Sequence, residues 1–258
     1  MQTRPNTVTK YRSYISNLGW LNFLRYWRHR RFKRWQTKPF SLFSPHSQAP
    51  LHCRPHSSDL AVYKQIFAQR EYSCLDHLPL NSEGLILDCG ANVGFSSAYF
   101  LSRFPRCKAI AVEPDPGNCE ALARNLSAFG NRVRIRRAAV WSHQTQLSLV
   151  ADAPGTDGKE WSRTVRASVE GREPLVEAVD IPTLLGQSGF DRVFILKMDI
   201  EGAESAVFQS GAEKWLPLVD RIVIELHGPD CASFFAGAVT PFGFKLRRHA
   251  ELTLAERI

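Results

Sequence analysis

Two clusters of residues in this chain are typed and spaced for chemistry. The first is LILDCGANVGFSSAYF, Leu85 to Phe100. An apolar run ends on Asp88, a turn carries Gly90, Ala91, Asn92 and Gly94, and a helix-compatible segment follows. Open α/β sheets bind nucleotides through this strand–turn–helix pattern, at the carboxyl ends of their strands. Gly90 and Gly94 let the backbone turn sharply and approach a ligand without a Cβ clash. Glu113 ends the next apolar run, KAIAVEP, at the spacing from which a carboxylate can hold the two hydroxyls of a ribose. Asn92 stands where a G-x-G-x-x-G turn has its second glycine. A pyrophosphate needs bare backbone there, whereas a side-chain amide suits a ligand without phosphates. A sulfonium nucleoside with an amino-acid tail therefore fits better than a dinucleotide. The competing structural readings are a glycine turn that only packs strand against helix, and Glu113 as an ordinary loop carboxylate. The two features together are a stronger signal than either alone.

The second cluster is KMDIEGAE, Lys197 to Glu204, joined by ELHG at Glu225 to Gly228. Side chains alternate faces along a strand, so Lys197 and Asp199 share one face, and Glu225 and His227 share one. If the two strands are neighbours, four polar groups converge at the edge where ligands sit. The structural alternative is an ion pair between Lys197 and Glu225, because buried charges need partners. Asp199 and His227, further out, suit ligand-facing roles. Glu201 and Glu204 flank Gly202, where carboxylates also favour a helix N-terminus for structural reasons alone. A hard cation among these oxygens lacks a dedicated binding loop, and no metal site is expected.

The elements that must position these groups alternate between strand and helix. Strands are expected at Leu85–Asp88, Lys108–Val112, Val133–Val140, Thr145–Val150, Val193–Met198 and Arg221–Leu226. Helices are expected over Gly94–Phe104, Pro116–Phe129 and Ala203–Ser210, and a short one over Leu60–Phe67 that Asp59 would cap. The chain from Phe242 on can supply a final antiparallel pair. This alternation implies an α/β, doubly wound sheet with right-handed crossovers. Residues 152–173 are polar and read as a loop or insertion.

Charge divides the chain. The eleven Lys and Arg of residues 1–58 stand with no acidic residue, leaving 22 basic against 25 acidic residues in 59–258, a net of −3. Residues 1–58 therefore read as a basic extension and linker, and 59–258 as the main domain. Within the extension, Ile15 to Trp35 spaces Trp20, Phe23, Leu24 and Trp27 helically among arginines, and the Ser/Pro/His-rich stretch after Pro39 reads as a linker. Residues 1–40 can rest on an anionic membrane surface; a nucleic-acid arm, a solvated tail or an organelle transit segment are the other readings, with nucleic acid disfavoured. No run approaches the roughly 18 apolar residues of a membrane span, and no secretory leader is visible. The six cysteines form no CxxC pair and read as buried thiols of a reducing, cytoplasmic compartment.

In order, RPHSSDLAVYKQIFAQREY, LDCGANVGFSS, AVEPDPGNCEAL, VDIPTLL, ILKMDIEGAE and VIELHG resemble the FkbM family of S-adenosylmethionine-dependent methyltransferases, over about residues 51–228. The resemblance implies a class I methyltransferase fold, a Rossmann-like sheet of seven strands, mostly parallel with an antiparallel last strand. It implies S-adenosyl-L-methionine as cofactor and methyl transfer, usually to oxygen, on a sugar, glycolipid or secondary metabolite. Asp88, Gly90, Asn92 and Gly94 match its donor loop, Glu113 its ribose-binding acid, and Asp199 and Glu201 its Lys-x-Asp-x-Glu-Gly signature. Asp199, His227, Glu201 and Lys197 are accordingly the candidate catalytic residues. A nicotinamide-dependent oxidoreductase on the same sheet, and a non-catalytic membrane- or nucleic-acid-associated module, are the rival readings.

Overall fold

The computed structural model describes residues 7–150, 164–167, 175–200 and 202–257. Glu201, and residues 152–173 apart from Thr164–Ala167, lie outside them. The chain opens with two helices, α1 (Thr7–Leu18) and α2 (Trp20–Arg31), separated at Gly19, whose φ of 74° breaks what the spacing suggested was one segment. The stretch after Pro39, expected as a linker, instead forms an antiparallel hairpin of β1 (Phe40–Leu42) and β2 (Leu51–Cys53). Leu42, Leu51 and Cys53 are buried, and Asn125 accepts from the His52 N–H at 2.7 Å and donates to its carbonyl at 3.2 Å.

Next come α3 (Asp59–Tyr63) and a π-helical turn over Lys64–Ala68. Asp59 does not cap this helix. It lies within the first turn, and its buried carboxylate accepts from the Arg54 backbone at 2.7 Å and from the Arg54 guanidinium at 2.9 and 3.1 Å.

The nucleotide-type core follows: β3 (Leu85–Cys89), α4 (Phe95–Arg103), β4 (Lys108–Val112), α5 (Pro116–Leu126) and β5 (Val133–Arg136). Helix α5 starts as its sequence demands, with Asp115 accepting from the Asn118 N–H at 2.8 Å and Pro116 at the first position. The expected third strand splits: β6 (Ala139–Val140) leaves the main sheet and joins β7 (Thr145–Val150), β8 (Thr164–Ala167) and β9 (Leu175–Val179) in a second sheet of order β6-β9-β7-β8. The chain closes with α6 (Ile181–Gly186), β10 (Val193–Met198), α7 (Glu204–Gln209), α8 (Ala212–Trp215), β11 (Arg221–Glu225), α9 (Pro229–Val239), β12 (Phe244–His249) and β13 (Leu252–Arg257).

The main sheet has seven strands in the order β12-β13-β11-β10-β3-β4-β5. All neighbours are parallel except those of β13, which runs against both β11 and β12. Strands β3 and β10 are buried throughout, which is why they read as nearly unbroken apolar runs. One face carries Leu85, Leu87, Leu196, Ile222 and Ile224 into a core with α6 to α9. The other carries Ile86, Ile195 and Val223 into a core shared with Phe95, Phe100, Tyr63 and Phe67, and with Tyr14, Leu18, Phe23 and Tyr26 of α1 and α2. Continuing the alternation along β3, β10 and β11 puts Asp88, Lys197, Asp199 and Glu225 on this second face, at its carboxyl edge.

Candidate active site

The turn after β3 is fixed from both sides. The N–H groups of Gly90 and Ala91 both donate to Val112 O, at 3.0 and 2.9 Å. Gly90, Asn92 and Gly94 all have positive φ, at 78°, 49° and 86°. Glycine is required at 90 by space as well as by angle: a Cβ there would lie 1.8 Å from Asp199 O. At 94 it would meet Leu122 Cδ1 at 2.8 Å.

Beneath the turn, Asp88 is wholly buried. Its Oδ2 accepts from the hydroxyls of Ser96 and Ser97, both at 2.6 Å, which locks the start of α4 to the end of β3. The other oxygen faces Lys197 Nζ at 3.3 Å. The register makes this pair inevitable, since Lys197 stands directly opposite Asp88 across the ladder. The ion pair of Lys197 with Glu225, raised as the structural alternative from sequence, is thus not the one formed. Glu225 lies two residues beyond Val223, the residue opposite Lys197 on β11. The Lys197 ammonium also donates to Gly90 O at 2.6 Å and lies 4.0 Å from Asp199. Burial alone would lower its pKa; the charges of Asp88 and Asp199 overcome this and raise it to about 12. Lys197 is therefore held as a cation, and its ammonium clamps the turn through Gly90 O.

Glu113 is buried one strand over. Its Oε2 accepts from Asn92 N at 2.9 Å, and its Oε1 from Asp115 N at 3.0 Å and Asn118 Nδ2 at 3.2 Å. Burial raises its pKa, against the pull of these three donors. A carboxylate has about four acceptor positions, so Glu113 spends three on shaping the turn.

The turn, the strand ends and the segment after α3 enclose a cavity of about 250 Å³. Gly90, Asn92 and Ser96 form one wall, Lys197, Asp199 and Glu225 the floor, and Gln65, Ile66, Glu71 and Tyr72 the opposite side. Its lining is rich in carboxyl groups: Glu71, Asp199, Glu225 and Glu251 against Lys197 alone. Burial, reinforced by the Asp199 charge, pushes Glu225 up to about 8. Burial likewise pushes Glu71 up to about 7, although Gln65 donates to it at 2.6 Å.

His227 is held beside this floor. Its Nδ1 pairs with Glu204 Oε1 at 3.0 Å, and the same oxygen accepts from Ile200 N at 3.1 Å. Burial pushes the Glu204 carboxyl up, but the hydrogen bond and charge of His227 outweigh it and hold it below the usual range. Asp199, Glu204 and His227 each bring one ligand atom within 4.8 Å of the others, as do Glu71, Glu225 and Glu251, so either trio has the spacing to hold a metal ion.

The structure thus gathers Gly90, Asn92, Asp199 and Lys197 around one cavity, buries Asp88 beneath the turn, places Glu113 behind the turn, and sets His227 at the side. Sequence reasoning missed Ser96 and Ser97, which the FSS run after the turn could have flagged as helix-start hydroxyls. It also missed Glu71 and Gln65, which lie within the Arg54–Tyr72 segment but carry no local sign of facing the strand ends.

A seven-strand sheet of this order, with an antiparallel strand inserted near one edge and a glycine turn after its first core strand, is the architecture of a class I methyltransferase. Residues 88–244 match the Methyltransferase FkbM domain. The chain belongs to that family and is an S-adenosylmethionine-dependent methyltransferase. It is 27% identical over 196 residues to Methyltransferase 1 of Beauveria bassiana, covering 69% of this chain and 77% of that one. It is 29% identical over 198 residues to Methyltransferase sdnD of Sordaria araneosa, covering 65% and 74%. It is 26% identical over 172 residues to 2-O-methyltransferase NoeI of Sinorhizobium fredii, covering 62% and 67%. The family membership decides against a nicotinamide oxidoreductase and against a non-catalytic module.

Proposed function

We propose that the acidic cavity is where methyl transfer occurs, and that the acceptor atom is a hydroxyl oxygen of a sugar, glycolipid or secondary metabolite. When bound, S-adenosylmethionine supplies a methyl already activated by its sulfonium charge. The residues fit that donor. The turn at Gly90 leaves no side chain in the way, and four carboxyl groups line a space for a ligand whose sulfonium and ammonium favour their ionised form. Glu113 has one acceptor position left for a ribose hydroxyl.

The work left to the protein is alignment and removal of one proton. Asp199 is the group that meets the acceptor: it borders the cavity and lies 4.0 Å from the Lys197 ammonium. It orients the hydroxyl or takes its proton directly. His227, oriented by Glu204 and of suitable intrinsic pKa, is the second candidate to carry the proton off. Lys197 acts by position, holding the turn that both substrates share. Glu201 keeps its candidacy from the family signature alone. The observation that most supports this reading is that one cavity is bounded both by the donor turn, Gly90 and Asn92, and by Asp199. That NoeI is a 2-O-methyltransferase supports oxygen as the acceptor.

The test is incubation with donor carrying a carbon-13 methyl and fractionated cell extract. The chemical shift of the transferred methyl distinguishes oxygen from nitrogen, sulfur or carbon. Label on a saccharide or metabolite oxygen is expected; label confined to protein or RNA, or to another element, overturns the assignment.

A further inference from the structure

The N-terminal helix pair has two faces with different fates. Phe23 and Tyr26 of α2, with Tyr14 and Leu18 of α1, are buried in the main core, and Tyr26 stacks on Tyr63 at 5.9 Å. On α2 the remaining large apolar residues point outward. Trp20, Leu24 and Trp27 recur at i, i+4 and i+7 and so form a single stripe, with Leu21 beside it. Leu21 is 71% exposed and Trp20 61%; just past the helix, Phe32 and Trp35 are 50% and 82% exposed. An exposed row this rich in indole is not needed for folding, because the same helix already buries another face.

Cations frame the stripe. Arg28, Arg31, Lys33 and Arg34 are exposed. Arg25 and Arg30 are engaged internally, over the Phe43 ring at 5.0 Å and on Tyr11 Oη at 3.1 Å. Residues 7–40 hold nine Lys and Arg and no acid. Among the described residues none of these cations is in an ion pair. A second copy of this face would set like charges against each other. The complementary occupant is a negatively charged surface with an apolar interior that accepts tryptophan at its boundary. We propose that the outer face of α2, from Trp20 to Trp35, docks on an anionic lipid bilayer. Among the described residues no helix is long and apolar enough to cross a membrane, so the contact is peripheral.

The arm is tied to the cavity wall. Asn17 donates to Ala68 O at 2.9 Å, at the end of the π-helical turn that supplies Gln65 and Ile66 to the cavity. The proposal does not depend on which acceptor is methylated.

The test is co-sedimentation of the full chain with vesicles of phosphatidylcholine alone, and with vesicles partly replaced by phosphatidylglycerol. Binding to the anionic vesicles only is expected. It should fall steeply as salt shrinks the Debye length from about 10 Å at 0.1 M to about 3 Å at 1 M. Removing charge with R28Q and R31Q should weaken partition roughly fivefold per charge. W20E with W27E should weaken it roughly tenfold or more, while thermal denaturation and S-adenosylmethionine binding stay as in the parent. Equal partition of the W20E/W27E chain would overturn the proposal. So would no binding to anionic vesicles at low salt alongside self-association, or alongside capture by an acidic polypeptide such as polyglutamate.

Discussion

Asp199 O stands 1.8 Å from the point that a Cβ on Gly90 would occupy. The turn after β3 and the end of β10 therefore meet through a gap that only glycine leaves. Gly90→Ala forces the two apart while also straining a backbone with φ of 78°. The expected cost is about 2–5 kcal/mol of folding stability, with loss of S-adenosylmethionine binding. Urea denaturation and calorimetric titration check both; a parent-like Kd in G90A would show that the turn does not touch the donor.

Glu113 serves the turn before it serves any ribose, because three N–H donors already converge on it. Glu113→Ala orphans those donors and removes the ribose partner together. Donor affinity is expected to fall roughly 10- to 100-fold, and stability by about 1–3 kcal/mol. A drop in stability with no change in affinity would restrict Glu113 to architecture.

The proposed roles of Asp199 and His227 separate the chemistry from donor binding. Asp199→Asn keeps size and hydrogen bonding but removes the charge, so methyl transfer is expected to fall roughly a hundredfold or more while donor Kd changes by less than about threefold. His227→Gln should lower the rate and flatten its rise with pH, since Glu204 no longer orients a titrating ring. Single-turnover rates across pH, set beside donor titrations, separate these effects. Undiminished turnover in both variants would remove the pair from the mechanism.

The cavity acids give a pH signature. Burial, with the Asp199 charge adding to it, holds Glu225 up to about 8 and Glu71 up to about 7. The folded chain keeps these protons where the unfolded chain has lost them. Their contribution to stability is thus fully present below the ordinary carboxylate range and is lost as pH rises through about 7 to 8. The melting temperature is expected to decline over this rise, and Glu225→Gln should make the decline shallower. A cationic donor favours the ionised acids, so its binding should release protons near neutral pH. Calorimetry in buffers of different ionisation enthalpy reads that release directly; an enthalpy independent of buffer would contradict it.

The sheet was legible because buried parallel strands carry apolar runs, and the donor turn because positive φ selects glycine and asparagine at 90, 92 and 94. What local pattern does not encode is register. Lys197 pairs with Asp88 because the two stand opposite each other across the ladder, a fact that no spacing within KMDIEGAE contains. The stretch from Val133 to Val140 read as one strand, yet after Arg136 the chain leaves an edge position and Ala139–Val140 pairs with β9 instead. The Ser/Pro/His-rich segment read as a linker because its composition suits a loop. Three buried side chains and the amide of Asn125 hold it as a hairpin nonetheless.

The most direct measurement is a crystal structure of the chain grown with S-adenosylmethionine. Density for the donor is expected in the cavity bounded by Gly90, Asn92 and Asp199, its ribose on Glu113 and its methyl turned toward the Asp199 carboxylate. A donor seated elsewhere on the sheet, or a cavity still vacant at saturating concentration, would contradict the central claim.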